Sequence, residues 1–157
     1  MHRNAILVQD ALRSAGSTAS VVELPDSART SAEAAAALGV EAGRIAKSLV
    51  FVADGRPVLA VLSGDDRLDT ARLAEHLGAS SVVRADADTV RRATGFPIGG
   101  VSPLGHPPGL TVLVDRGLAA HPTVWAAAGT PHAVFETNFD ELLAVSAGTP
   151  ADVREVR

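Results

Sequence analysis

The stretch IAKSLVFVADGRPVLAVLSGD, residues 45–65, decides the fold of this chain. Two apolar runs flank Asp54-Gly55, and this dipeptide favours a β-hairpin because both central residues of a two-residue turn adopt positive φ. We therefore expect paired strands over Ile45–Ala53 and Arg56–Ser63. The second run is apolar throughout Val58–Leu62, which is typical of a strand that is buried on both faces.

Lys47 lies inside the first of these strands and is the only lysine of a sequence that contains thirteen arginines. Alternation along the strand places Lys47 on the same face as Ile45, Leu49 and Phe51. A single ammonium among apolar residues indicates a task that the planar guanidinium of arginine cannot perform. The alternative is structural, since a lysine can lay its stem along an apolar surface or belong to a buried ion pair.

The composition limits the class of protein. A length of 157 residues with 46% hydrophobic residues predicts one domain with a real core. The absence of cysteine excludes disulfides, thiolate metal sites and a cysteine nucleophile, and it fits a cytoplasmic location. A net charge of −4 argues against tight non-specific nucleic-acid binding but leaves room for a local basic face. No signal peptide is apparent, and no apolar run approaches the roughly 18–20 residues of a membrane span.

Periodicity and capping signals around the hairpin predict about six strands and five helices, which indicates an α+β or mixed α/β class. Residues 1–157 form one domain in this prediction, with a helix in residues 1–16 and a loosely held tail at 148–157. The first helix offers Ile6, Leu7, Ala11 and Leu12 for an apolar face. Outside the hairpin, the predicted strands are Ala19–Leu24, Ser81–Arg84, Leu110–Val114 and Ala133–Glu136. The five predicted helices are Asn4–Ala15, Thr30–Leu38, Thr70–Leu77, one from Asp86 or Asp88 to Gly95, and Asn138–Val145. A further short helix is predicted over Pro122–Ala128, and Pro25–Arg29 is a turn or loop.

Most familiar site motifs are missing from the sequence. Neither a dinucleotide fingerprint, a Walker sequence nor a GxSxG motif is present. The five histidines show neither paired i, i+4 spacing nor a carboxylate at a familiar offset, so we expect no metal site; they are His2, His76, His106, His121 and His132. The carboxylates of Asp65, Asp66 and Asp69 are explained by a turn followed by a helix N-cap.

A second candidate feature is the long connection Gly95–Gly109, which holds five glycines and four prolines. Connections of this length in a compact domain are usually functional or disordered, and the apolar residues spread along this one favour an ordered loop. Within it, Gly99 and Gly100 let backbone N–H groups approach a ligand without side-chain obstruction. Such amides can hold a carbonyl oxygen, a developing oxyanion, a carboxylate or a phosphate. The alternative is a tight surface turn.

Together these stretches carry a resemblance to a known family. RIAKSLVFVADGRPVLAVLSGDDRLD (44–69) and TGFPIGGVSPLGHP (94–107) resemble the YbaK / prolyl-tRNA-synthetase-associated aminoacyl-tRNA editing domains. VWAAAGTPHAVFETNFDEL (124–142) supports the resemblance. The chain has the look of the free-standing bacterial members.

The resemblance implies a small α+β domain around a mixed, partly barrel-like sheet. It implies hydrolysis of the ester in mischarged tRNA, most often tRNA for proline that carries alanine, cysteine or serine. The family lysine falls on Lys47, and the family's GxxxP loop falls on Gly99–Pro103. No metal or organic cofactor is expected, and the implied partners are the aminoacylated 3′-end of tRNA and, in addition, prolyl-tRNA synthetase.

The residues fit this chemistry. Lys47 can hold the 3′-end or the substrate, or act as a base if its pKa is strongly lowered, and the amides of Gly99 and Gly100 can polarise the ester carbonyl. Asp115 is interpreted as a turn cap. Residues expected to contact the substrate are Thr30, Leu49, Phe51, Ser63, Val101, Ser102, Pro103 and His132. Arginines that could touch phosphates are Arg29, Arg44, Arg67, Arg91 and Arg92.

Two other functions stay open at this point. The first is a non-catalytic module that recognises charged tRNA or a small amino-acid ligand in the same pocket. The second is a Schiff-base enzyme that uses Lys47. The second ranks low, because no phosphate-binding motif for a pyridoxal cofactor is visible.

Overall fold

The computed structural model describes residues 1–25, 28 and 30–157. These residues form one α+β domain with a mixed sheet, as predicted. The helices are α1 Arg3–Ser14, α2 Ser31–Leu38, α3 Thr70–Leu77, α4 Ala87–Thr94 and α5 Phe139–Ser146. The strands are β1 Val21–Glu23, β2 Ile45–Ala53, β3 Arg56–Ser63, β4 Val82–Arg84, β5 Thr111–Asp115, β6 Val124–Ala127, β7 Ala133–Thr137 and β8 Thr149–Ala151.

The predicted hairpin is confirmed and forms the centre of the sheet. Asp54 and Gly55 both have positive φ, 48° and 81°. β2 and β3 pair in register from Ala46 opposite Ser63 to Ala53 opposite Arg56. Every residue from Val58 to Ser63 is buried, because further strands and helices cover both faces of β3.

Strand β2 changes its neighbour along its other edge. At its beginning, Ile45 and Ala46 pair in parallel with β6. At its end, Phe51–Ala53 pair antiparallel with β4. The β2 residues between these two pairings lie opposite a gap in the sheet, and this gap positions the site described below.

The sheet order is β1-β7-β6-β2-β3-β5-β8, with β4 attached to β2. Among the described residues the sheet is open, with β1 and β8 at its edges, so the barrel-like description does not extend to closure. The main core lies between the sheet and helices α1, α4 and α5, with Leu12, Val90 and Leu142 as contributions from these three helices.

Capping side chains begin the helices where the sequence indicated. Thr30 and Glu33 form the capping box of α2, and Asp86, not Asp88, caps α4 through the Thr89 N–H. In α1 the predicted apolar face is partly wrong. Leu12 is buried, but Ile6 and Leu7 are 46% and 45% exposed, because the sheet is met by the face that carries Ala5 and Val8.

The predicted helix Pro122–Ala128 is wrong, because its centre is the strand β6. Burial alternates along β6, with Val124 and Ala126 fully buried. This strand pairs antiparallel with β7 and in parallel with β2. The backbone of this short segment therefore finds its hydrogen-bond partners in the sheet, and this pairing outweighs the helix propensity of an alanine-rich run.

The loosely held tail predicted for residues 148–157 is also wrong. Thr149–Ala151 form β8 in parallel with β5, and Val153 is fully buried. With β6 and β8 the described residues contain eight strands, two more than the six predicted. Asp26, Ser27 and Arg29, in the predicted turn Pro25–Arg29, lie outside the described residues, and so does the phosphate contact expected of Arg29.

The segment Val153–Arg157, called the strap below, is held by the buried carboxylate of Asp115. One Asp115 oxygen accepts from the N–H groups of Val153 and Arg154 at 2.8 and 3.2 Å. The other accepts from Gly117 N–H at 2.8 Å and from the Arg154 guanidinium at 3.1 Å. Asp115 is therefore the predicted turn cap, and in addition it anchors the strap.

We expect Asp115→Ala to lower the free energy of unfolding by about 3–5 kcal/mol, because it leaves the buried Val153 N–H unpaired and removes the buried partner of the partly buried Arg154 guanidinium. Urea unfolding followed by circular dichroism measures this loss. Asp152→Ala is the matched control, since Asp152 binds the same Arg154 from an exposed position and should cost below about 1 kcal/mol. Equal losses in the two variants would contradict the anchoring role of Asp115.

Candidate active site

A pocket of about 230 Å³ opens at the gap where β2 leaves β6 and has not yet met β4. Residues 45–50 of β2 form its floor, and Gly99 and Val101 from the long connection form one wall. Arg84 at the end of β4 contributes to its border. The full lining is Ala28, Thr30, Ser31, Ala34, Ile45, Ala46, Lys47, Ser48, Leu49, Val50, Arg84, Val90, Ile98, Gly99, Val101, Trp125, Ala127, Pro131 and Val134.

Lys47 brings an ammonium group to this pocket. The Lys47 side chain is partly buried, and its Nζ donates a hydrogen bond to the backbone carbonyl of Asp66 in the connection between β3 and α3. Burial lowers the pKa of Lys47; the Asp66 carboxylate opposes this, Arg84 and Arg67 lower it further, and Asp65 opposes it weakly. A lysine ammonium has three N–H donors, and its bond to Asp66 uses one of them.

Two buried polar atoms of the lining have no hydrogen-bond partner among the described residues. They are the Ser48 hydroxyl and the indole N–H of Trp125. Val50 accepts from Ala85 N–H on the gap side of β2, so alternation directs the backbone of Ser48 towards the same gap. Buried polar groups are usually paired, because an unsatisfied one costs about 1–3 kcal/mol. A polar ligand can satisfy these atoms.

The glycine-containing wall is ordered, and it is fixed by close backbone contact. Val101 is buried in the main core, as predicted for an ordered loop. A Cβ built on Gly100 would lie 2.7 Å from the Cα and carbonyl carbon of Thr130 and 2.9 Å from the nitrogen of Pro131. Gly100 N–H donates to the carbonyl of Pro97 at 3.0 Å, so this amide already has a partner. The N–H groups of Gly99 and Val101 donate to no other group in the described part of the chain.

Five of the residues predicted for the site line the pocket together: Thr30, Lys47, Leu49, Gly99 and Val101. Thr30 also has a structural role, because its hydroxyl caps α2.

Six of the predicted site residues lie outside the lining, and one of them is Gly100. Phe51 is buried in a second cluster with the Arg84 guanidinium 5.7 Å from its ring centre. The Ser63 hydroxyl donates to the carbonyl of Gly43 at 2.7 Å. Ser102 and Pro103 are buried, and the Ser102 hydroxyl accepts from Leu104 N–H at 3.2 Å. His132 follows the lining residue Pro131, and its N–H donates to the Thr130 hydroxyl at 3.2 Å.

Sequence reasoning missed several lining residues, above all Ser48, Arg84 and Trp125. Alternation places Ser48 on the face of β2 opposite Lys47, and only the gap in the sheet makes both accessible to one pocket. Trp125 lay in the segment predicted as a helix. The other lining residues that were missed are mostly apolar, and nothing in the sequence distinguishes an apolar residue of a pocket wall from one of the core. They include Ala34, Val90, Ala127 and Val134.

Two further features of the described residues concern metal-binding groups and membrane-spanning helices. No three His, Asp or Glu side chains in the described ranges come together as a group that could hold a metal ion. None of the helices there has the length and apolar character needed to cross a membrane.

The fold and the site thus define a small α+β domain with a largely apolar ligand pocket that carries one lysine and a glycine-containing wall. The sequence model of the aminoacyl-tRNA editing domain matches residues 25–145, which is more than half of the chain. The chain belongs to the aminoacyl-tRNA editing domain family, and the resemblance noted in its sequence is confirmed.

Similar proteins point to the same family. The chain is 40% identical over 86 residues to proline–tRNA ligase of Geobacter sp. (strain M21), a match that covers 55% of the chain and 15% of the ligase. It is 38% identical over 95 residues to proline–tRNA ligase of Streptococcus sanguinis (strain SK36), with 60% and 15% covered. The matches thus span about 15% of the length of these ligases.

A solved structure resembles the whole chain. The crystal structure of a proposed trans-editing enzyme for prolyl tRNA synthetase matches with a TM-score of 0.94 and 43% identity. The match covers 99% of both chains.

Proposed function

We propose that this protein is an aminoacyl-tRNA deacylase that removes a small amino acid from mischarged tRNA for proline. Alanine, cysteine and serine are the candidate amino acids. The observation that carries the proposal is the Lys47 ammonium at the edge of a small pocket in the gap beside β2. The relatedness to proline–tRNA ligases and to a proposed trans-editing enzyme supports the choice of tRNA.

The size of the pocket supports a small aminoacyl group. Its volume of about 230 Å³ lies below the roughly 300–1,000 Å³ of pockets for drug-sized ligands. Most of its walls are alanine, valine and other aliphatic side chains. A synthetase site shaped for proline discriminates poorly against smaller residues, because one methylene is worth only about 1–3 kcal/mol. A second, smaller site that accepts only the wrong amino acid removes this error.

The chemistry is hydrolysis of an ester that is already activated. A water attacks the carbonyl carbon and gives up a proton, the tetrahedral intermediate expels the ribose oxygen of the terminal nucleotide, and a proton equivalent to the one lost by the water is taken up by that oxygen. The N–H groups of Gly99 and Val101 are the donors available to stabilise negative charge on the carbonyl oxygen. Lys47, with two N–H donors beyond its bond to Asp66, holds negative charge of the substrate beside them.

The surroundings of Lys47 suit the phosphates of the tRNA 3′-end. Arg84 lines the pocket, and Arg67 follows directly after Asp66, whose carbonyl holds Lys47. Within the described part of the chain, neither arginine side chain forms a hydrogen bond or an ion pair with another residue. Unpaired guanidiniums beside an ammonium give a local positive field on a chain of net charge −4, so binding should weaken with rising salt.

The test is deacylation of tRNA for proline charged separately with alanine, cysteine, serine and proline, at equal tRNA concentrations and beside a protein-free reaction. We expect the protein to hydrolyse at least one mischarged species well above the spontaneous rate and to spare Pro-tRNA. The species that is hydrolysed names the amino acid.

Hydrolysis of none of the mischarged species by a folded protein would overturn the proposal. Binding of a charged tRNA without hydrolysis, measured by filter binding at low salt, would instead identify a recognition module. Hydrolysis of Pro-tRNA at the same rate as the mischarged species would overturn the editing role.

A further inference from the structure

We propose that the strap Val153–Arg157 positions Lys47, with Arg157 as the positioning residue. This inference rests on the proposed function of the pocket. It assigns a role in the site to a segment about 90 residues further along the chain than the connection that it holds.

The position of the Lys47 ammonium depends on one connection. Its Nζ donates to the backbone carbonyl of Asp66, which lies between β3 and α3. A backbone carbonyl holds an ammonium in place only if the backbone itself is held. Gly64–Asp69 contains no regular helix or strand, so its conformation depends on contacts with other parts of the chain.

The strap supplies such contacts in the second half of the connection, whereas the first residue is held by β2, since Gly64 N–H donates to the carbonyl of Ile45 at 2.7 Å. Asp69 N–H donates to the carbonyl of Val153 at 2.8 Å, and Glu155 N–H donates to the carbonyl of Arg67 at 2.7 Å. The strap is rigid at its base, because Val153 is fully buried and the buried Asp115 binds it.

Arg157 completes the arrangement at Asp66. Its guanidinium donates to the Asp66 carboxylate at 2.9 and 3.2 Å and to the carbonyl of Asp65 at 2.7 Å. Asp66 therefore has two separate partners: its carboxylate binds Arg157, and its carbonyl binds Lys47. With Arg157 in place the Asp66 side chain is 12% exposed, while the Arg157 side chain is 67% exposed.

This division matters because the Asp66 carboxylate also attracts Lys47 electrostatically. While Arg157 holds the carboxylate, the ammonium is bound by a neutral carbonyl and keeps donors for a ligand. Without Arg157 the carboxylate is free to form an ion pair with Lys47, which would draw the ammonium away from the ester. The other charged groups near Lys47 are Arg84, Arg67 and Asp65.

The single lysine allows a direct test that does not depend on activity. Protein labelled with ¹³C at the lysine ε-carbon gives one lysine signal, that of Lys47. In Arg157→Ala we expect this signal to shift and the pKa of Lys47 to rise, because the uncovered Asp66 carboxylate favours the ammonium. Deacylation should show kcat lowered about ten- to a hundredfold at nearly unchanged KM, because a displaced catalytic group slows the chemical step.

Two further variants separate positioning from general damage. Arg116→Ala is the matched control, since it breaks an exposed ion pair with Asp152 beside the strap and touches neither Asp65 nor Asp66. It should leave the Lys47 signal and kcat unchanged. Adding Asp66→Asn to Arg157→Ala removes the competing charge, so the pKa of Lys47 should fall again.

A folded Arg157→Ala variant with the wild-type Lys47 signal and pKa would overturn the inference. A pKa that stays raised after Asp66→Asn is added would overturn it as well. A wild type inactive on every mischarged tRNA would overturn the proposed function, and the Lys47 signal would still report whether Arg157 holds the ammonium.

Discussion

Lys47→Ala is expected to lower the rate of deacylation by about 10²–10³, the range that the loss of one well-placed charge-stabilising group typically costs. The resemblance in the sequence assigns the family's lysine to Lys47, and in the structure Lys47 lines the pocket and donates to the carbonyl of Asp66. Single-turnover hydrolysis with protein in excess over mischarged tRNA measures the chemical step directly.

The controls for this prediction separate charge from geometry. Arg56→Ala removes an exposed cation from the same hairpin, beside its turn, and should leave the rate unchanged. Lys47→Arg keeps the charge but replaces a compact ammonium by a larger, planar guanidinium, and we expect it to retain only a small part of the wild-type activity. Full activity in Lys47→Ala would show that Lys47 has no role in the reaction.

The pH dependence indicates which form of Lys47 acts. Burial lowers the pKa of this group, and the proposed role requires the ammonium. The rate relative to spontaneous hydrolysis should therefore fall as pH rises through the pKa of Lys47, measured from the single ε-carbon signal. A relative rate that rises through this pKa would show instead that neutral Lys47 acts as a base.

Gly100→Ala is the second large effect, with an expected loss of about a hundredfold in kcat/KM. The added Cβ would meet the backbone of Thr130 and Pro131 at 2.7–2.9 Å, and neither backbone can turn aside as a flexible side chain could. The wall would therefore shift away from Pro131, and the amides of Gly99 and Val101 would move with it. A lower kcat/KM in a variant that still unfolds cooperatively in urea is the expected result.

Gly109→Ala is the matched control for this variant. It lies in the same long connection and, unlike Gly100, has a positive φ, 91°, while no atom lies within 4 Å of its added Cβ. It should cost some stability through its strained φ and leave kcat/KM unchanged. Equal kcat/KM losses in Gly100→Ala and Gly109→Ala would show that the close contact of Gly100 with Thr130 is not what the activity depends on.

Part of the candidate site could be predicted because single residues carry its signal. A lone lysine in an apolar strand and a glycine-containing connection are unusual in themselves, and Lys47, Leu49, Gly99 and Val101 do line one pocket. The role expected of the Gly100 amide differs from the structure. Its N–H binds Pro97, and the residue contributes mainly by having no side chain.

The parts that could not be predicted depend on residues distant in sequence. Trp125 reaches the site because β6 pairs with β2, and a four-residue strand beside Pro122 has too little pattern of its own to be distinguished from a helix. Arg157 reaches Asp66 because Asp115 and β5 hold the last strand and the strap. No local pattern reports such pairings.

The sequence by itself determined the hairpin and the helix caps, because turn geometry, capping and strand alternation act over a few neighbouring residues. Its motifs also indicated the family, and its composition singled out Lys47 as a candidate site residue. Only the tertiary structure decided that β2 would exchange β6 for β4 and leave a gap, and that the strap would reach the connection that holds Lys47. The Lys47–Asp66 contact joins residues 19 positions apart and the Arg157–Asp66 contact joins residues 91 positions apart, and both form only when strand pairing has placed those residues side by side.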